Sequence, residues 1–586
     1  MFACLARIHA ALRCRDWFAA SQVATAAWLL AGVVAAAPGD FDTTYGMAGV
    51  VTVPVDQLGL YLQRSSVALQ SNGSLVIANR CFRGSIDGIC LYRISHGGDF
   101  DTTFGESGIA FFASGGQGTS TTDVAVAADD ALFVATDCSD AGRSEFCLVK
   151  FTPDGLVDGT FARQGAARIS VSSGSHRAAA VRVDPRDRLV IVGDCDRVGH
   201  PLAFRDFCAA RVLADGTLDS AFATDGVLSA NTTYVHDNKV MDLTVDSEAN
   251  LVALSQCRAN QVSVPCLYKF DSLGRPDSTF GRDGIFEQPM SLGDFITDAY
   301  AMAPAADRGY YYTSECAAPD GKAFCVVKLL ASGTFDESFA HGGVARIGIS
   351  TFDLRGAARP NKVFFDAVAQ KITVGGICYV RVEGSYYAQD LCLARFLSDG
   401  RTDSTYGSGG RVTHTLQLNV NEFAFMFVER LEKLTVAFVC SRYGFFTNPS
   451  FCLARLKGGP YDASSCAYNI DADAEVAGGD GVLAVRYLLG LRGAALTDGA
   501  VGPNPGRSNA EIETYLADLL AQGKLDADGD GQSLAMTDGL LILRAMLGLT
   551  GDALTAGAVN TAHPNARNAQ QILTWIESTH GVACLP

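Results

Sequence analysis

The chain reads as mainly β: a seven-bladed β-propeller with four-stranded blades and one disulfide per blade, followed by a small α-helical domain. Three observations predict this. Fourteen cysteines fall into seven pairs at one phase of a repeat of about sixty residues. A second motif, an Asp followed three residues later by an aromatic, recurs in step with them. Helical patterning is absent until about residue 460 and then dominates. A period of this size marks a solenoid, a propeller or an array.

The N-terminus has the form of a secretory signal over residues 1–36. Arg7, Arg13 and Arg15 form a basic segment, residues 24–37 an apolar one containing Trp28, Leu29 and Leu30, and Val34-Ala35-Ala36 a small-residue cleavage site. A retained membrane anchor is the other reading of the same residues. Loss of the signal removes Cys4 and Cys14 and leaves sixteen of the eighteen cysteines, an even number in a chain leaving the reducing cytosol. The expected destination is the medium, the cell surface or the periplasm. A net charge of −17 excludes the basic footprint that nucleic acid needs.

Residues 38–459 carry the repeats. The pairs are Cys81/Cys90, Cys138/Cys147, Cys195/Cys208, Cys257/Cys266, Cys316/Cys325, Cys378/Cys392 and Cys440/Cys452. In the first repeat, strands are expected near Val50–Val53, Ser66–Gln70, Ser74–Ala78 and Cys90–Ile94, each bounded by Gly, Asn or Asp turns. Each cysteine pair then flanks the loop between the third and fourth strands, close enough across an antiparallel pair to bond. Metal clusters would need closer ligand spacing, and redox pairs usually show Cys-x-x-Cys. An open β-solenoid shares this local pattern; the absence of polar capping repeats favours a ring.

The second motif begins at Asp42, Asp101, Asp158, Asp219, Asp277, Asp336 and Asp403. One basic residue also recurs, at Arg93, Lys150, Arg211, Lys269, Lys328, Arg395 and Arg455. Charges repeated sevenfold are expected to serve architecture: the Asp pairs with the base or caps its own turn. With segments such as DTTFGESG and DSTFGRDG, residues 40–457 resemble the bacterial delta-60 repeat family, although Ala162, Ala223 and Ala340 replace the motif's Gly. The resemblance implies a propeller-like fold in a surface or secreted protein and no defined activity.

Residues 460–586 contain an internal duplication: GLRGAALTDGAV matches GLTGDALTAGAV, and VLAVRYLLG matches LLILRAMLG. Each half opens with an acidic loop. The first places Asn469, Asp471, Asp473, Glu475 and Asp480 at alternating positions and closes at position 12. The second places Asp526, Asp528, Asp530 and Gln532 likewise and closes with Asp538 at position 13. Alternating oxygen donors on a tight turn, closed by a carboxylate that opens a helix, suit calcium, with Glu475 and Gln532 offering main-chain carbonyls. An Asx-rich turn without metal is the plainer reading. Two calcium sites are expected, the second the tighter, because Asn469 lowers the first loop's charge and Ala474 replaces a turn Gly. Later helices open with Ser508-x-x-Glu511 and Asn568-x-x-Gln571 capping patterns. The arrangement resembles a dockerin module, and Cys466 with Cys584 would tie its ends. Dockerins dock onto cohesins through residues just before the final ligand; Gly478-Gly479 and Met536-Thr537 stand there instead of the usual Ser/Thr pair, so the resemblance leaves a cohesin-like partner open without the residues that usually select it.

No catalytic signature appears. His96, His176, His200, His236, His341, His414, His563 and His580 lack metalloprotease spacing, and no nucleophile elbow or phosphate loop is present. The cysteine-closed loops vary in length. The sixth and seventh carry Tyr379, Tyr386, Tyr387, Tyr443, Phe445 and Phe446, an aromatic set suited to a glycan or protein surface, unless the rings fill their own loops. The leading expectation is extracellular binding or adhesion. The alternative is an extracellular enzyme linked to polysaccharide degradation, of glycoside hydrolase-like role, suggested by analogy with dockerin-bearing proteins.

Overall fold

The computed structural model describes residues 40–42, 45–47, 49–53, 61–114, 123–140, 143–197, 205–230, 239–259, 262–289, 299–318, 321–349, 358–366, 369–382, 386–414, 418–428, 434–442, 450–457, 466–472, 478–502, 505–560, 563–580 and 584. The signal-like segment lies outside them.

Seven antiparallel four-stranded sheets account for the repeats. Six are built from consecutive strands, within 61–113, 123–169, 176–230, 239–287, 299–348 and 359–414. In the first blade these are β2 (Tyr61–Leu69), β3 (Leu75–Arg83), β4 (Ile86–Ile94) and β5 (Ile109–Ala113), preceded in the chain by β1 (Val50–Val53). The central strands read as near-continuous apolar runs, such as the LVIANRC of β3, because both faces of every blade are covered by neighbours.

The seventh sheet corrects the expected strand grouping. β1 does not join β2. It forms the outer strand of the last blade, beside Ser450–Leu456, with Val50 opposite Ala454 and Val53 opposite Phe451. The repeat in the sequence is therefore offset by one strand from the blade, and the N-terminal strand closes the ring. Each innermost strand touches the next, and the last returns to β2. Seven apolar clusters fill the seven interfaces between blades, including one in which Ala437, Phe451 and Leu453 of the last blade meet Val67, Ile77 and Tyr92 of the first. An open solenoid of seven units would have six interfaces, so that alternative falls.

The placement of the cysteines is a second correction. They were expected at the two ends of a loop between the third and fourth strands. They lie instead inside the two central strands of each blade, the second and third, and both members of a pair are part of the ladder. In every blade the second cysteine faces the residue two before the first. Cys90 stands opposite Asn79, Cys147 opposite Thr136, Cys208 opposite Gly193 and Cys266 opposite Ser255. Cys325 stands opposite Ser314, Cys392 opposite Gly376 and Cys452 opposite Phe438. The physical reason is that the hairpin extends beyond the cysteines, so that strand pairing continues past them towards the turn. This diagonal register brings the Cα atoms of the seven pairs to 5.3–6.0 Å, within reach of a disulfide. The pairing itself is as expected: Cys81–Cys90, Cys138–Cys147, Cys195–Cys208, Cys257–Cys266, Cys316–Cys325, Cys378–Cys392 and Cys440–Cys452 are all bonded. Each cystine is buried in the cluster shared with the preceding blade.

The C-terminal region has its own core, with Leu483, Leu516, Leu541 and Ile576 among its fully buried residues. Its helices are α1 (Gly478–Leu488), α2 (Ala494–Thr497), α3 (Asn509–Ala521), α4 (Leu540–Met546, entered through a π-helical turn at Ala535–Gly539), α5 (Gly551–Thr555) and α6 (Ala569–His580). α1 and α4 cross closely: a Cβ on Gly481 would lie 2.9 Å from the Leu543 Cα. The duplication is structural as well as sequential. Arg486 donates to the Leu496 and Asp498 carbonyls, and Arg544 donates to those of Leu554 and Ala556. Both expected capping patterns are made: the Ser508 N–H donates to the Glu511 carboxylate, and the Asn568 N–H to the Gln571 side-chain carbonyl. The Cys466–Cys584 bond joins the two ends.

Candidate functional site

The repeated charges are spent on the frame. In all seven blades the basic residue meets a motif Asp at 2.7–3.1 Å. Six pairs are eight residues apart; the seventh, Arg455 with Asp42, joins the ends of the ring. The second carboxylate oxygen caps its own turn, as Asp101 does for the Thr103 N–H and hydroxyl, so both expected roles are filled at once. In five blades the base also lies over the motif aromatic, from 4.2 Å for Arg395 over Tyr406 to 5.6 Å for Lys269 over Phe280. The Asp158 carboxyl falls to about 2, held down by Thr160 and Lys150. The residue after the aromatic adopts φ from 46 to 59° in all seven copies. That conformation lets its N–H reach a turn carbonyl of the next blade, as Ala162 does to Asp215 at 2.8 Å. Gly suits the position, and Ala162, Ala223 and Ala340 hold it under strain.

One polar feature breaks the sevenfold symmetry and was missed in the sequence. Asp123 and Asp242 occupy the same register of their innermost strands, opposite the residue three before the first cysteine; the first, third and sixth blades hold Ser66, Ala180 and Lys362 there. Arg182 lies between the two carboxylates, 2.8 Å from each. The carboxylates also accept backbone N–H groups of the following blades, Val181 for Asp123 and Met302 for Asp242. These are edge N–H groups with no further strand to pair with, so the Asp side chains complete the inner edge. Superposing the repeats by their cysteines would have exposed these two positions.

The histidines that the structure places deepest are structural. His176 is buried, accepts the Val171 and Ser172 N–H groups on Nε2, and donates from Nδ1 to the Ser144 carbonyl. Burial holds its pKa below the usual range. His580 stacks on Tyr468 at 4.2 Å and edges Trp575 at 4.7 Å; burial first, then Lys524 and Arg567, lower it to about 3.

The second acidic loop brings three of its predicted carboxylates together. Carboxylate oxygens of Asp526, Asp528 and Asp538 lie within 4.8 Å of one another, a group that does not include Asp530, with Asp528 and Asp538 fully buried. Backbone N–H groups fix them: Gly529 and Gly531 donate to Asp526, Asp530 and Asn560 to Asp528, Asp528 and Leu534 to Asp538. Asp530 is held below the ordinary range by the Asn560 amide and the Gln532 N–H, while Gln532 itself is exposed. Burial pushes the Asp538 carboxyl up, and the Asp528 charge adds to the rise. Neighbouring buried carboxylates are costly without a compensating cation, and an all-oxygen donor set suits a hard one, so these residues fit calcium. In the first loop, Asn469, Asp471 and Asp480 are buried; Asp480 accepts the Ile470 N–H at 2.6 Å and Asp471 accepts the Gly502 N–H at 2.7 Å. Asp473 and Glu475 lie outside the described residues.

The aromatic set is only partly placed. Tyr379, Tyr386 and Tyr387 belong to the two central strands of the sixth blade, Lys371–Val382 and Tyr386–Leu397, with side chains outside the described residues. Tyr443, Phe445 and Phe446 lie outside them altogether.

No protein-family model matches the chain, and no curated protein does. Among solved structures, the polysaccharide lyase Uly1 is similar at 10% identity and TM-score 0.41, over 70% of this chain and 93% of that one. An endo-arabinase from Bacteroides thetaiotaomicron is similar at 14% and 0.29, over 48% and 96%. PorZ, a surface component of the type-IX secretion system of Porphyromonas gingivalis, is similar at 13% and 0.37, over 72% and 49%. Such distant likenesses carry no argument about activity; the propeller rests on this chain's own strand order and interblade cores.

Proposed function

We propose that the protein is an extracellular binding scaffold: a rigid propeller that presents variable loops to a glycan or protein surface, followed in the chain by a calcium-stabilised, dockerin-like module. One observation carries the reading. The repeated bases, carboxylates, cysteines and turn residues are committed to building each blade and linking it to the next, whereas the segments joining the two central strands differ in length and composition along the sequence. A constant frame with variable segments is how a scaffold separates stability from recognition. Eight disulfides suit an oxidising compartment, in keeping with the signal-like N-terminus. Among the described residues no helix is long and apolar enough to cross a membrane.

The test is co-sedimentation of the mature protein with insoluble polysaccharides and with cell envelopes, in calcium and in chelator. Retention on one glycan that disappears when Tyr386, Tyr387, Phe445 and Phe446 are replaced by Ala supports the reading. Absence of retention on every surface in both conditions sinks it.

A further inference from the structure

The two acidic loops differ in a residue that belongs to neither. In each half the chain leaves its loop, forms two helices and returns across the loop it left. The returning segment is anchored the same way both times. Arg507 donates to the Asn469 and Ile470 carbonyls and lies 3.7 Å over Tyr515; Arg567 donates to the Asp526 and Ala527 carbonyls and lies 4.5 Å over Trp575. Each anchored segment also offers one backbone N–H to the third-position carboxylate, Gly502 to Asp471 and Asn560 to Asp528. At that point the halves part. Asn560 adds a side chain, whose Nδ2 donates to Asp530 Oδ2 at 3.0 Å, while Oδ1 of the same carboxylate takes the Gln532 N–H at 2.8 Å. Gly502 has no side chain to offer the first loop.

We propose that Asn560 is a positioning residue that makes the second loop the tighter cation site, by fixing the carboxylate of Asp530 while its backbone fixes that of Asp528. This rests on the calcium reading of that loop. The physical basis is general: ligands oriented by outer hydrogen bonds lose less freedom on binding, and loss of such a partner typically weakens metal affinity by about 10–100-fold. Asn560 is exposed, so its replacement leaves the module's core untouched.

The test uses the full mature chain with disulfides intact and Asp480→Asn in the background to silence the first loop. Calcium is titrated by calorimetry, with terbium luminescence as a second reading. Asn560→Gly keeps the backbone N–H and deletes only the amide, and should weaken the remaining site about tenfold without altering the circular dichroism of the calcium-free protein. In the reverse background, with Asp538→Asn, Gly502→Asn should tighten the first loop. Unchanged affinity in Asn560→Gly overturns the proposal and leaves the calcium reading standing. Failure of the unmutated chain to bind calcium or terbium overturns both.

Discussion

Asp219 and Arg211 illustrate what one residue pair does seven times over. Arg211 is 1% exposed, and Asp219 is its carboxylate partner at 2.8 Å. Asp219→Ala strands a buried cation and should destabilise the ring by about 3 kcal/mol, read as a lowered urea midpoint. Asp215→Ala loses only an exposed turn cap on Thr217 and should move that midpoint far less. The opposite sign is expected where strain is stored. At φ of 46–47°, Ala162, Ala223 and Ala340 each occupy a conformation that costs a Cβ-bearing residue about 1–2 kcal/mol, partly offset by the extra unfolded-state freedom of Gly. Ala→Gly at each should therefore raise the melting temperature slightly; a fall would show that the Cβ contributes more by packing than it loses by strain. The pairing of Asp with base was legible because both recur in phase. The Asp123–Arg182–Asp242 chain was not, because it exists only where three consecutive blades depart from the repeat.

At the level of elements, β1 decides whether the ring is closed. It has four residues, yet the last blade takes its outer strand from it, and Val53 is 1% exposed in the core between the last and first blades. The preceding turn reinforces it: Asp42 receives Arg455, Tyr45 lies under that guanidinium, and Arg455 reaches on to the His96 carbonyl of the first blade. Val53→Asp places an unpaired charge in that core. Amide exchange should then rise first in Ser450–Leu456 and spread to β2–β4, while the fourth blade stays protected. Uniform exchange across all blades would mean that closure is not the weak point. The existence of all four strands of the first repeat was readable from β-branched runs and turns. Their grouping was not: strand pairing is a long-range property, and nothing local in Val50–Val53 distinguishes a first strand from a borrowed fourth one. The cysteine pairing was readable from the repeat, but the depth of Cys208, Cys266, Cys325 and Cys392 within their strands was not, because the spacing of a pair does not say how far the hairpin runs beyond it. The acidic loops were readable because their carboxylates are close in sequence, whereas Asn560 comes from the returning segment and could be found only in three dimensions.

Across the whole molecule, the motif carboxylates of the ring and the buried His580 of the C-terminal module titrate in different ranges, and this separates their contributions in acid. In the ring, the motif carboxylates have lowered pKa values: Asp158 sits at about 2, and Asp101, Asp219, Asp277, Asp336 and Asp403 are shifted the same way. Their contribution is complete above the unfolded value of about 4 and is lost only as pH falls towards about 2. In the module, His580 is buried and neutral down to about pH 3, whereas the unfolded chain takes up its proton near the ordinary histidine value of about 6.5. Its contribution is complete above about pH 6.5 and erodes as pH falls towards about 3, by an amount on the order of 5 kcal/mol in total. Asp538 acts in the reverse sense, because a raised carboxyl gains protons in the folded state first, so a His580→Phe variant is needed to isolate the histidine. The chain carries a convenient reporter: of its three tryptophans, Trp17 and Trp28 lie in the signal-like segment, and Trp575 touches His580. In mature protein kept in chelator, the thermal transition followed by Trp575 fluorescence should drop steadily between about pH 6.5 and about 4.5, and by more than the β-sheet transition followed by circular dichroism, to which His176 contributes a lowering of the same sign. His580→Phe should flatten the first without moving the second. If the Trp575 transition of the unmutated protein is level over that range, the buried histidine does not govern the module's stability, and the carboxylates of the acidic loops become the groups to examine.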